Sequence, residues 1–236
     1  MNLQGLVSRS VNNVNTMFES LGSITSNVSN YNTIGYKTKR FECYLKEFGL
    51  LEGAERTNCS QGTLMSTDNQ FDVAINGAGF FPVTKSNGTV AYTRDGSFSV
   101  NKDGYLVTND GYIVGDGIKI PANYEKIKIS TDGTVSIISS KGTEPEKVGK
   151  IPLVAFSNPE ELKSLDGNKL AQSEKSGKPI LITEHNSIKQ GSLERSNINM
   201  FDTVNEVLML NASLIASTRL IKVADDMYNK SINLRQ

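Results

Sequence analysis

The sequence predicts an α+β protein: a long helix at each end, paired as a coiled-coil-like stalk, with a central, mostly antiparallel β domain. Two apolar stripes and one run of glycine turns carry that prediction. Val7, Ser10, Val14, Met17, Leu21, Ile24, Val28 and Tyr31 recur in alternating steps of three and four, the seam of a helix that packs lengthwise on another. Val207, Leu210, Leu214, Ser217, Ile221, Ala224 and Tyr228 do the same near the other end. Between them, Asn-Gly and Asp-Gly pairs at 76, 87, 95, 103, 110, 116 and 132 separate short runs rich in Val, Ile, Tyr and Phe. Such pairs supply the positive φ that tight hairpins require.

The first helix is a weak one. Asn12, Asn13, Asn15, Gly22, Asn27 and Asn30 each cost up to about 1 kcal/mol relative to alanine. Its stability must therefore come from packing its apolar side, and it is expected to order only on assembly. Gly35 suits a left-handed stop, and Lys37, Lys39 and Arg40 follow where the helix dipole is negative. Closing the intervening loop costs roughly 4–5 kcal/mol, less than several paired seam residues return at about 1.5–3 kcal/mol each. The two seams are expected to meet each other and, in part, neighbouring copies.

Residues 1–40 form the N-terminal axial helix and exit turn in this reading, and 41–66 a connector with one short helix. The central β domain with its loops occupies 67–190, and the C-terminal axial helix 191–236. Strands are expected at 71–75, 80–83, 91–93, 98–100, 105–108, 112–114, 118–120, 127–129 and 135–138. Pro159 to Leu162 starts a single helical turn, and 164–180 read as a surface loop or partial strands. Thr203 and Glu206 have capping-box spacing at the start of the last helix.

Lys+Arg and Asp+Glu both total 25, so a phosphate backbone or an anionic membrane finds no net attraction here. The expectation is no nucleic-acid partner and no membrane insertion, because no uninterrupted apolar run approaches the eighteen or more residues of a span. The first residues show neither a basic leader nor the apolar core of a cleavable signal. Cys43 and Cys59 match no zinc or CxxC spacing and read as free thiols, a disulfide remaining open for a chain that matures outside the cytoplasm. Asp95, Asp103, Asp110, Asp116 and Asp132 each precede glycine but lack calcium-loop spacing. The lone His185 has no partner motif. No P-loop, GxGxxG, HExxH or nucleophile elbow occurs, so no enzyme, catalytic residue, cofactor or metal is expected.

Three segments resemble the axial proteins of the bacterial flagellum, its rod and hook subunits. Ser26 to Lys37, holding Asn27, Asn30, Thr33, Gly35, Tyr36 and Lys37, looks like the family's NNxANxxTxGYK. Gln61 to Leu64, Asp72 to Phe81 (with Gly77, Gly79 and Phe80) and Tyr92 to Phe98 resemble QGxL, DLAIxGxGFF and YTRDGSF. Gln190 to Asn199, with Leu193, Glu194, Ser196 and Asn197, resembles xGxLExSNVN. The matches fall in the family's order and span nearly the whole chain. Leu106 to Tyr112, Ile120 to Asn123, Val148 to Ile151 and Phe156 to Pro159 are most similar to the distal-rod branch. The proximal-rod branch is second and the hook third. Two features depart: the stretch from Lys37 to Gln61 is shorter than in distal-rod subunits, and Asn211-Ala212-Ser213-Leu214 replaces an AQRAYEAN-like run.

The resemblance implies a structural subunit of the basal-body rod that polymerises into a torque-bearing tube. Paired terminal helices would line the inside and the β domain the outside. Implied partners are copies of itself, neighbouring rod and hook proteins, and the flagellar type III export apparatus, which takes such chains without a cleaved signal into the periplasm-spanning rod. The seam residues Val7, Val14, Met17, Leu21, Ile24, Val28, Tyr31, Val207, Leu210, Leu214, Ile221, Ala224 and Tyr228 are the expected assembly interface. The alternative is a secreted binding module, a β domain on a helical stalk.

Overall fold

The computed structural model describes residues 3–47, 50–139, 145–183 and 187–233; His185 lies outside them. The chain divides into two compact units. One combines Met1–Ser29, Lys39–Arg56 and Ile198–Gln236, and the other combines Asn30–Thr38 with Thr57–Asn197.

The first unit holds α1 (Leu3–Ser29), β1 (Lys39–Leu45), β2 (Leu51–Thr57) and α2 (Met200–Asn233). The two helices contact one another, and β1 pairs with β2 as a two-stranded hairpin. The region expected to be a connector with a short helix is thus mostly β. Its ends are pinned by Lys39–Glu55 at 2.9 Å and Arg56–Glu42 at 3.1 Å, with Lys46 paired to Glu52 at the far end. Of these charges, Glu42 and Lys46 alternate with Phe41, Cys43 and Leu45, a period-two pattern too short and charged to stand out as a strand signal.

α2 begins earlier than the capping-box spacing suggested. Asn199 Oδ1 accepts the Phe201 N–H at 3.0 Å, and the Thr203 hydroxyl turns back to donate to the Asn199 carbonyl at 2.9 Å. Asn199 therefore occupies the first donor-satisfying position, and Thr203 sits buried inside the helix. A window of α2 has mean hydropathy 1.4, long and apolar enough by length and composition alone to cross a membrane. Apolar residues lie all around this helix with few charges among them, so the composition is met without an unbroken apolar run.

The second unit is β, and every strand pair in it is antiparallel. In chain order its strands are β3 (Leu64–Ser66), β4 (Val73–Ile75), β5 (Phe81–Thr84), β6 (Val90–Thr93), β7 (Phe98–Val100), β8 (Leu106–Thr108) and β9 (Ile113–Val114). There follow β10 (Tyr124–Ile129), β11 (Thr134–Ser139), β12 (Glu146–Lys150), β13 (Leu153–Ala155), β14 (Lys163–Leu165), β15 (Lys169–Ala171), β16 (Ile180–Ile182), β17 (Ile188–Gln190) and β18 (Ser192–Glu194). Seven of them form a sheet in the order β14-β15-β6-β5-β9-β8-β7, and β10-β11-β12 form another. Residues 118–120, expected as a strand, contribute one bridge from Lys119 to Tyr105. Pro159–Glu161 is a 3₁₀ turn, as expected.

Val73, Ile75, Phe81, Leu106, Val114, Ile127 and Leu153 are among the fully buried core side chains. All but Leu153, whose strand was not expected, come from the predicted strands, which is why the period-two pattern located them. Most of the glycines in the predicted turns carry positive φ, but Gly96 does not. Its role is close approach: a Cβ there would lie 1.6 Å from the Val73 carbonyl oxygen. Two late strands, β17 and β18, return to pair with β4 and β3, so the residues before α2 belong to the same β unit as those after α1.

Candidate functional site

Lys37, Arg94 and Glu194 meet in the second unit as a buried ionic knot. Lys37 Nζ lies 2.6 Å from Glu194 Oε1 and Arg94 Nη1 lies 3.1 Å from Oε2. The side chains are 3, 3 and 0 % exposed for Lys37, Arg94 and Glu194 respectively. Further bonds tie the knot to backbone: Lys37 Nζ donates to the Ser60 carbonyl at 2.6 Å, Arg94 Nη2 to the Gly77 carbonyl at 2.7 Å, and the Gly62 N–H to Glu194 Oε1 at 2.7 Å. Arg94 also stands over the Phe80 ring, 5.4 Å from its centroid. Burial pushes the Lys37 ammonium below its ordinary value, against the opposing pull of Glu194.

The knot holds two cations and one carboxylate. Each ion has given up hydration worth several kcal/mol, so the site persists only because almost every bonding group on it is met. The three resembling segments supply it: Lys37 from the first, Gly62, Gly77, Phe80 and Arg94 from the second, and Glu194 from the third.

The neighbouring motif residues extend the network. The Gly35 N–H donates to the Glu194 carbonyl at 2.7 Å. Gly35 has φ +66, and a Cβ on it would lie 2.5 Å from the Arg94 carbonyl carbon, so no other residue fits this turn. Asn197 Oδ1 accepts from the Thr38 N–H and hydroxyl, both at 2.7 Å, while its Nδ2 donates to the carbonyls of Asn58 at 2.8 Å and Ser60 at 3.0 Å. Asn30 and Thr33 close the turn on themselves through Thr33 N–H to the Asn30 carbonyl and Thr33 Oγ1 to Asn30 Oδ1, both 3.0 Å. Tyr36 and Leu193 are buried beside them. Gly79 is buried with φ +121 beside the core, and Ser196 is half-buried. Asn27 belongs to the first unit, where Nδ2 donates to the Lys39 carbonyl and Oδ1 accepts the Lys39 N–H, both at 2.8 Å.

Sequence reading did not single out Arg94, Gly62, Asn58 or Ser60 as site residues. The signal for Arg94 was present in Tyr92-Thr93-Arg94-Asp95-Gly96, but nothing local shows that its partner stands 100 residues away.

All the seam residues except Tyr31, which falls in the second unit, belong to the first unit. Ser10, Ile24, Ser217 and Ala224 are buried, and Val7, Val14, Met17, Leu21, Leu210, Leu214 and Ile221 are half-buried. Val28, Tyr31, Val207 and Tyr228 are exposed. A groove of about 290 Å³ lies among α1, the hairpin and α2, lined by Met17, Ile24, Phe41, Leu51, Met209 and Leu210 with polar neighbours. Outside the seam, α2 leaves Phe201, Val204, Leu208, Met209, Ile215, Leu220, Val223 and Met227 exposed. A patch of this kind marks a surface meant to be covered.

Both cysteines are free thiols. Burial pushes the Cys59 thiol from 9.0 up to about 11, against the pull of Lys37 and Arg94. The native chain therefore keeps this proton where the unfolded chain has lost it, and stability falls as pH rises from 9.0 to about 11. The expected loss is about 2 kcal/mol. Denaturant midpoints across that range should fall in the wild type and stay flatter in Cys59→Ala; equal slopes would contradict the assignment.

A polar cavity of about 300 Å³ in the β unit collects Asp95, Asp110, Lys169, Thr93, Thr108 and Asn168. Lys169 pairs with Asp110, and burial raises the Asp95 carboxyl above its ordinary value. Among the described residues no group of three His, Cys, Asp or Glu side chains is placed to hold a metal ion.

The family model described as "Flagellar hook protein FlgE/F/G D1 domain" matches residues 74–137, the stretch that carries Gly77, Gly79, Phe80 and Arg94. The flagellar basal-body rod protein FlgG of Buchnera aphidicola subsp. Acyrthosiphon pisum is 33% identical over 88% of this chain and 90% of its own length. FlgG of Buchnera aphidicola subsp. Schizaphis graminum is 38% identical over 72% of this chain and 67% of its own. The rod protein FlgF of Caulobacter vibrioides is 32% identical over 78% of each. With identity of this level over most of the chain, the chain belongs to the FlgG family of flagellar basal-body rod proteins, structural subunits rather than enzymes.

Proposed function

We propose that the chain polymerises, as a distal-type rod subunit, into a tubular axial structure that carries torque. The observation behind this reading is the open side of α2. Phe201 is 74 %, Leu208 61 %, Met209 72 % and Val223 55 % exposed, although another stripe of the same helix faces the rest of its unit. Burying such a side chain returns about 1.5–3 kcal/mol, enough in aggregate to drive association. A contact between different surfaces of successive copies does not close on itself and extends as a helical filament.

Length and composition alone would also suit α2 to a bilayer. Membership of a rod family and the recurrence of Glu206, Arg219, Lys222, Asp225 and Asp226 along the helix favour protein neighbours instead. In this reading α1 and α2 pair along their seams in a coiled-coil-like stalk, and the interface is completed by Val28, Tyr31, Val207 and Tyr228. Partners are further copies and adjoining rod and hook proteins, reached after export through the flagellar type III apparatus without a cleaved signal, in a rod that spans the periplasm. Mass spectrometry of purified hook-basal bodies, with electron microscopy of cells lacking this chain, tests the assignment. The chain should be present in the rod, and deletion cells should arrest before the hook. Its absence from the particle, with normal filaments in the deletion, would indicate a surface binding module of the same fold.

A further inference from the structure

The low helix propensity of α1 has a counterpart on the hairpin. Asn12, Thr16, Ser23 and Asn27 lie on one side of α1, separated by four, seven and four residues. Each bonds to β1 or β2 within the first unit. Asn12 Oδ1 accepts the Leu51 N–H at 2.8 Å, and the Thr16 hydroxyl, whose shorter bond at 3.1 Å is to the Asn12 carbonyl of its own helix, also approaches the Leu51 carbonyl at 3.4 Å. Ser23 Oγ donates to Glu55 Oε2 at 2.7 Å, the carboxylate that also pairs with Lys39. Asn27 takes both the N–H and the carbonyl of Lys39. Lys39 of β1 thus has both backbone groups met by one side chain of α1, and Leu51 of β2 has its N–H met by another, at two points fifteen residues apart along the helix.

We infer that the β1–β2 hairpin is a splint that holds α1 helical and in register within the single subunit. The inference deepens the assembly reading, because register decides which residues of α1 form the seam. Apolar contact is non-directional, and a three-four stripe tolerates a slip. The polar contacts do not: moving α1 by one residue turns it by about 100° and shifts it about 1.5 Å, which breaks all of them together. Polar groups at a buried helical face act this way as register markers. Asn12 and Asn27 are therefore kept at the expense of helix propensity because their amides match a strand's backbone and alanine's methyl does not.

The test is hydrogen exchange followed by mass spectrometry on the full-length, unpolymerised chain and its Asn12→Ala/Asn27→Ala variant. Alanine raises intrinsic helix propensity, so a helix held by local preference and apolar packing alone gains protection or keeps it. A splinted helix loses it. The expected result is at least a tenfold fall in protection across residues 12–27 and 39–57, with peptides of the β unit between 73 and 138 unchanged as an internal reference. Unchanged or increased protection in α1 overturns the inference, as does loosening confined to the hairpin. Should the double variant not fold, Asn27→Asp keeps the acceptor for the Lys39 N–H and removes the donor. It should give a smaller loss in the same two segments, and equal protection in it would count against the splint. The readout precedes polymerisation, so lost protection in the variant together with normal filaments would fault the assembly reading and leave the splint untouched.

Discussion

Glu194→Ala is expected to cost the β unit about 3–5 kcal/mol, a large part of the 5–15 kcal/mol by which a typical domain is stable. The substitution leaves Lys37 and Arg94 as two like charges in a site from which water is excluded, and strips the Gly62 N–H of its acceptor. The knot is asymmetric, so the cost depends on which member is removed. Lys37→Met leaves the Arg94–Glu194 pair neutral, and Asn197 still donates to the Ser60 carbonyl, so its cost should be nearer 1–3 kcal/mol. Urea midpoints of the full-length chain, followed by the β signal in circular dichroism, should rank Glu194→Ala well below Lys37→Met and both below wild type. Equal midpoints for the two variants would mean that the charges are not uncompensated in the way the geometry indicates.

Leu208→Asp together with Val223→Asp should leave the subunit as stable as wild type, within about 0.5 kcal/mol, and abolish polymerisation. Both side chains are more than half exposed, so the folded monomer loses little. A filament interface, by contrast, would have to bury two new carboxylates without partners, each at several kcal/mol. Leu214→Asp with Ile221→Asp is the useful contrast, because those residues are half-buried in the subunit itself. That pair should lower helical signal and melting temperature as well as assembly, while the β unit stays folded. Thermal melts and electron microscopy of complemented deletion cells separate the outcomes, and normal rods from the Leu208/Val223 variant would refute the role given to the open face of α2.

Much of this was legible in the chain. Of the α2 seam, Leu210, Leu214, Ser217, Ile221 and Ala224 are half-buried or buried in the subunit, because a helix repeats its facing residues at fixed local spacing, while Val207 and Tyr228 are exposed. Nearly every predicted strand of the β unit exists, since alternation and glycine turns act over four to eight residues. The hairpin of residues 39–57 escaped because its pattern is charged and short, and because its partner, α1, lies elsewhere in the chain. The poor helix propensity of α1 was visible, but its cause was not: Asn12 bonds a strand residue 39 positions away.

By itself, the sequence determined the class of fold, the two helices with their apolar stripes, the turns of the β unit and the family, each written in local order. Only the tertiary structure decided that Lys37 and Arg94, set 157 and 100 residues from Glu194, form one buried knot on its carboxylate. It likewise decided that Asn12 and Asn27 are strand partners rather than flaws in a helix. The physical reason is common to both. Periodicity is a property of neighbouring residues and can be counted, whereas a buried charge or amide is tolerable only with its partner present, and that partner is supplied by the fold.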